Sequence, residues 1–250
     1  MLKKRIIACM DIQDGEVVKG INFVDIKRAG DPIALAQRYV VEGADELVFL
    51  DITATIENRK TLINLVNTIA SEINIPFTVG GGISTREQAV DLVRAGADKV
   101  SVNSAAIKRP ELVREIAEVL GSQCAVVAID TKYEDGEWWV YSAGGRIKTE
   151  LKTVDWARQV AVLGAGEILL TSMNNDGTKA GFAIDITAEV ARQVNIPVIA
   201  SGGAGSIEHF EEVFTQTKAT GALAASIFHY GEVSIPKLKQ ALKTNNINVR

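Results

Sequence analysis

A chain of 250 residues, 47% hydrophobic and 23% charged, has the composition of a soluble globular enzyme and can bury a sizeable core. Its formal net charge of −4 excludes a general nucleic-acid or membrane surface, so any anionic ligand has to be held by local donors. No run approaches the roughly 18 apolar residues of a membrane span, the apolar stretch of MLKKRIIACMDIQDGE is too short for a signal peptide, and Cys9 and Cys124 match neither a zinc spacing nor CxxC, so we expect a cytoplasmic protein with two core cysteines and neither metal nor cofactor.

In chain order, short β-branched runs alternate with longer stretches of helical period. RIIACMD is followed by DPIALAQRYVVEGA, ELVFLDI by KTLINLVNTIASEI, PFTVG by TREQAVDLVRAGA, and KVSVN by PELVREIAEVLG. CAVVAID leads through YEDGEWWVYSAGGR, whose Asp135-Gly136 pair predicts a hairpin, to TVDWARQVAVLGAG; EILLTS, PVIAS and GALAA complete the set. Several of the helical stretches end in Gly, as a helix C-terminus should. Eight βα units in about 250 residues predict a single (β/α)8 TIM barrel over residues 1–250, with strands buried on both faces and no linker.

The two halves repeat one another. NIPFTVGGGIS returns as NIPVIASGGAGS, IIACMDIQDGEVV as VVAIDTKYEDGEWWV, ELVFLDITAT as EILLTSMNND and KVSVNSAA as ALAASIF. Asp11 falls over Asp130, Asp51 over Thr171 and Ser104 over Ser226, which gives half-barrels of about 1–120 and 121–250. A duplicated half-barrel carries duplicated sites at matching strand ends. The turns GGG (80–82) and SGGAG (201–205) let backbone N–H groups approach an anion, and each is completed by a small hydroxyl residue at the next strand end, Ser104 after Asn103 and Ser226 after strand eight. Two phosphate sites facing each other predict a substrate with a phosphate at each end. Between them Asp11 and Asp130, at the C-terminal ends of strands one and five, are the candidates for general-acid and general-base work; the alternative is a structural carboxylate that accepts loop N–H groups or pairs with Lys19.

ACMDIQDGEVVKG, ELVFLDITAT, FTVGGGIS, DKVSVNSAA, VVAIDTKYEDGEW, GEILLTSMNNDGTKAG, VIASGGAG and ALAASIFH together resemble the cyclase subunit of imidazole glycerol phosphate synthase, of histidine biosynthesis, over essentially the whole chain. The resemblance implies a phosphate-binding (β/α)8 barrel, a lyase/cyclase that takes the bis-phosphate ribulosyl aminoimidazole carboxamide ribonucleotide and ammonia to imidazole glycerol phosphate and aminoimidazole carboxamide ribonucleotide. It implies that Asp11 and Asp130 carry the acid/base steps and that Gly82, Asn103 and Ser104 hold one phosphate. Asp176, Gly177, Gly203 and Ser226 would line the other site, where Asp176 orients the NDGT turn, with Thr171 among the substrate-binding residues. Lys19, in the long loop after strand one, would be a lid lysine.

The resemblance also implies a glutaminase partner docked on the N-terminal face, forming a heterodimer that passes ammonia through the barrel. Arg5, Glu46, Lys99 and Glu167 stand at strand starts and would form the ammonia gate, with Asp98 a contact to the partner. Even steps from Arg5 towards Asp11 and from Lys99 to Asn103 put each pair on one strand face, whereas Glu46 lies an odd step before Asp51. An ordinary salt-bridge cluster would use the same residues. His209 is expected to be a surface or packing residue, His229 a packed loop histidine and Trp156 the apolar face of a helix. The related isomerase of the same pathway and a catalytically silent phosphate-binding barrel are the alternative functions; DITAT and the four floor residues favour the cyclase.

Overall fold

The apolar runs become strands because their β-branched side chains pack on both faces of one curved sheet. In the computed structural model, residues 3–13, 16–21, 24–52 and 63–250 are described. In chain order they form β1 (Arg5–Gln13), β2 (Glu16–Ile21), β3 (Val24–Gly30), α1 (Pro32–Val41), β4 (Glu46–Asp51), α2 (Ile63–Glu72), β5 (Phe77–Gly80), α3 (Arg86–Arg94), β6 (Lys99–Val102), α4 (Ser104–Lys108) and α5 (Glu111–Leu120). There follow β7 (Ala125–Glu134), β8 (Glu137–Ser142), β9 (Ile147–Lys152), α6 (Thr153–Val162), β10 (Glu167–Ser172), α7 (Ile184–Gln193), β11 (Val198–Ser201), α8 (Ile207–Gln216), β12 (Gly221–Ala224), α9 (Ser226–His229) and α10 (Ile235–Thr244).

The eight strands expected from the sequence are β1, β4, β5, β6, β7, β10, β11 and β12. They pair in parallel in that order, and β12 closes on β1 with Arg5 opposite Gly221. Inside the ring, Ile7, Cys9, Val48, Val126, Leu169, Ile199 and Leu223 fill the lower barrel, while the opposite strand faces pack against the helices. Each fully buried aliphatic side chain contributes roughly 1.5–3 kcal/mol. Helix starts follow their caps: Asp31 accepts the Ala34 N–H at 2.8 Å ahead of Pro32, and Thr85 accepts that of Gln88 at 3.3 Å. Trp156 is buried on α6, as its position on a helix face predicts.

Two sequence expectations change. The long loop after the first strand is, in its described residues, an antiparallel ribbon, with β2 paired to the top of β1 and β3 to β2. Its counterpart after the fifth strand is the expected hairpin, turned at Asp135 and Gly136 with φ of 55° and 81°, and β9 extends it into a three-stranded meander. The second correction concerns register. Glu46 and Glu167 open strands of six residues each, Leu50 lies opposite Asp11, and Thr171 lies opposite Asp130. Thr171 therefore corresponds to Leu50, and Asp51 to Ser172. A one-residue slip of this kind exchanges the faces of a strand.

Candidate active site

The floor of the barrel is a closed circuit of charge. Arg5 donates to Glu46 at 2.9 Å and to Glu167, and Lys99 donates to Glu46 at 3.0 Å and to Glu167 at 2.8 Å. Two bases and two acids alternate around the axis. All four first residues lie on strand faces that point inward, and the odd step noted for Glu46 belongs instead to Asp51, which ends β4 on the other face with a buried side chain. Burial alone would lower the affinity of the Arg5 guanidinium for its proton, but the two glutamates outweigh it and raise its pKa. Burial likewise opposes ionisation of Glu46, and Arg5 and Lys99 overcome it, holding that carboxylate below its usual range. Asp98, beside Lys99 on the same end, is exposed and accepts the Phe77 N–H at 2.9 Å, so part of its work is to fix the start of β5.

At the opposite, C-terminal end lies a cavity of about 470 Å³. Asp11, Asp130 and Thr171 line its depth, Gly82, Asn103 and Ser104 one side, and Asp176, Gly177, Gly203 and Ser226 the other. The even steps that put Arg5 and Glu167 at the floor put Asp11 and Thr171 at the mouth. Lys19 belongs to β2, and its side chain lies outside the described residues.

Asn103 donates Nδ2–H to Asp130 at 2.9 Å, while its Oδ1 is buried without a hydrogen-bond partner among the described residues. An orphaned buried acceptor at a cavity wall is a place for a ligand donor. Burial pushes the Asp130 carboxyl up to about 6; the Asn103 hydrogen bond opposes that rise and the nearby Asp176 charge adds to it. The Asp11 side chain is buried where β1 meets β2, with the Cys9 thiol 3.9 Å from its Oδ1.

The two glycine turns have matching backbones. Gly81 lies against the Asp51 backbone so closely that a Cβ would come within 2.2 Å of its carbonyl oxygen, and its counterpart Gly202 would meet that of Ser172 at 2.6 Å; their φ are 94° and 88°. The two turns thus leave N–H groups facing the cavity where side chains cannot stand. Ser104 and Ser226 open the short helices α4 and α9 beside them. The Ser104 hydroxyl accepts the Ala143 N–H at 2.8 Å, which leaves its own proton to donate to a ligand oxygen.

Sequence reasoning missed several lining residues. Lys108 ends α4, Arg146 comes from the β8–β9 turn, Lys179 from the loop after β10, Ser101 from within β6 and Ser201 from the end of β11. The two serines lie even steps from Asn103 and Ile199, a signal that was available; the three cations were hidden among surface charge. His229 is buried against Tyr39, with ring nitrogen and hydroxyl in hydrogen-bond contact, and His209 accepts the Gly205 N–H at 3.1 Å, so both pack as expected. Among the described residues no helix is long and apolar enough to cross a membrane and no cluster of three His, Cys, Asp or Glu could hold a metal.

With this geometry in view, a profile of the family described as "Histidine biosynthesis protein" matches residues 5–234. The chain is 59% identical over 250 residues to the imidazole glycerol phosphate synthase subunit HisF of Flavobacterium johnsoniae, with both chains fully covered. It is 59% identical to that of Hydrogenobaculum sp. and 54% identical to that of Bacillus cereus, again over the whole of each chain.

Proposed function

The chain belongs to the histidine biosynthesis family, as an imidazole glycerol phosphate synthase cyclase subunit of the HisF type, and from that premise we propose that Asp11 and Asp130 perform its acid/base chemistry. The observation that carries this reading is their placement: the two carboxylates stand where β1 and β7 pass from barrel pairing into antiparallel ribbons, within one cavity, between two glycine turns of matching form. A carboxyl with a pKa of about 6 holds a proton for part of the population near neutrality, which suits Asp130 to the general acid. Ammonia attacks the ribulosyl carbonyl of the bis-phosphate substrate, and an acid must supply the proton that leaves with water as the imine forms. Cleavage and ring closure then move protons again, with Asp11 as the partner base.

Gly82, Asn103 and Ser104 hold one phosphate; Asp176, Gly177, Gly203 and Ser226 line the other site, the carboxylate of Asp176 orienting its turn rather than meeting the anion. Thr171 faces the substrate opposite Asp130. Lys19 is the lid residue on the ribbon after β1, and the barrel comprises half-barrels of about 1–120 and 121–250. At the floor, Arg5, Glu46, Lys99 and Glu167 gate ammonia delivered by a glutaminase subunit, with Asp98 on the contact surface. Lys99 is the most exposed of the four gate residues, 18% against 5–9%, so its withdrawal is the least costly way to open the ring. The free cysteines fit action in the cytoplasm. The test is turnover of the ribulosyl bis-phosphate by the purified chain with and without an ammonium salt at alkaline pH. Ammonium-dependent loss of substrate is expected; binding without turnover would sink the reading.

A further inference from the structure

The two phosphate-binding sides of the cavity match in their glycine turns but differ in charge. On the Ser226 side the only cation among the described lining residues, Lys179, is neutralised by Glu232, whose two carboxylate oxygens both lie 2.6 Å from its Nζ, and Asp176 adds a negative charge. On the Ser104 side two cations line the cavity, Lys108 and Arg146, and neither has an ion pair among the described residues. Arg146 is also tied to Ser104. Its Nη1 donates to the Ala143 carbonyl at 3.2 Å, and the Ala143 N–H donates to Ser104 Oγ at 2.8 Å. The connecting turn is an unusual one, with Ala143, Gly144 and Gly145 all at φ between 54° and 78°. Left-handed backbone at a non-glycine residue persists only where its surroundings hold it, and here the serine that would meet the phosphate does the holding.

We propose that Arg146 is a substrate-binding residue that supplies the positive charge for the phosphate on the Ser104 side, so that the two sites are electrostatically unequal. The inference deepens the reading above and rests on it. An exposed guanidinium carries no cost while empty, and a phosphate offers it two oxygens in the planar geometry it matches, in place of the single backbone carbonyl it now holds. Among the described residues the Ser226 side has no unpaired cation to offer, and its phosphate meets backbone and hydroxyl donors.

The experiment has two parts. In steady-state turnover with an ammonium salt, Arg146→Ala is expected to raise KM about tenfold with kcat within about twofold, and Arg146→Lys to recover KM to within about threefold of wild type. Unchanged KM, or a fall in kcat alone, would overturn the proposal. In the second part, inorganic phosphate is titrated into the wild-type chain while the backbone amide signals of Ser104 and Ser226 are followed by NMR. Ser104 should respond at the lower phosphate concentration, and that order should disappear in Arg146→Ala. A first response at Ser226 in the wild type would refute the charge asymmetry even if the variant failed to fold. Absence of ammonium-dependent turnover in the wild type would instead count against the enzymatic reading, while the phosphate titration still decides the role of Arg146.

Discussion

At the floor of the barrel four charged side chains meet in four ion pairs, whereas at the mouth the carboxyl of Asp130 takes its hydrogen bond from the neutral amide of Asn103. The same inward-facing strand positions supply both ends, so the difference lies in partners and not in burial. Paired with cations, Glu46 is held ionised despite its burial; Asp130 is driven by burial and by the nearby Asp176 towards its protonated form, and the neutral amide opposes this only in part. A buried acid compensated by a base is fixed in one state and suits a seal. One left between two states is suited to proton transfer.

The sharpest way to break this contrast is to remove the proposed chemistry while leaving the seal. Asp11→Asn should lower turnover by about 10²–10⁴-fold with substrate affinity within a few-fold of wild type, as read from ammonium-dependent kinetics and equilibrium binding. An unimpaired variant would remove Asp11 from the mechanism. At the other end, Arg5→Ala leaves Glu167 with Lys99 alone and Glu46 with Lys99 and the more distant, half-exposed Arg250 at 3.9 Å. Breaking a buried pair in this way costs about 3 kcal/mol, so the urea midpoint should fall well below that of wild type; an unchanged midpoint would mean that the ring is looser than its ion pairs indicate.

Much of this layout was legible beforehand because an inward-facing strand position is a matter of counting by twos. Arg5 to Asp11 and Lys99 to Asn103 were placed in this way, and the glycine turns announced themselves by composition. The register of the second half was legible too, but miscounted: ELVFLDITAT set over EILLTSMNND without a gap puts Asp51 over Ser172. Matching Asp51 to Thr171 follows the polar strand ends, but the backbone takes its frame from Glu46 and Glu167 at the strand starts, which puts Asp51 with Ser172. Arg146 stayed hidden for a different reason: it sits in a turn between two antiparallel strands, and only the folded meander brings that turn over Ser104.

Ser226→Asp tests the mouth from its second side. A carboxylate placed where a phosphate should lie repels it, and substrate KM is expected to rise about tenfold or more; equal affinity would refute a phosphate site there.

The smallest effect concerns Asn103, and its sign follows from which form of Asp130 the amide favours. The Nδ2–H stabilises the carboxylate, so Asn103→Leu removes a contribution that lowers the pKa, and the carboxyl should titrate above about 6. In the wild type a raised carboxyl pKa means that the protonated acid favours the fold. That contribution is fully present below the unfolded value near 3.8 and is lost as pH rises through about 6. In Asn103→Leu the loss should extend to higher pH. Urea unfolding followed from pH 4 to 8 reads this directly, and the Asp130→Asn variant, which lacks the titrating group, should show no such step. If the proposed acid is the protonated Asp130, the alkaline limb of kcat should move upward with the same substitution. A limb that stayed in place while the unfolding step moved would separate the carboxyl that is buried from the carboxyl that donates the proton.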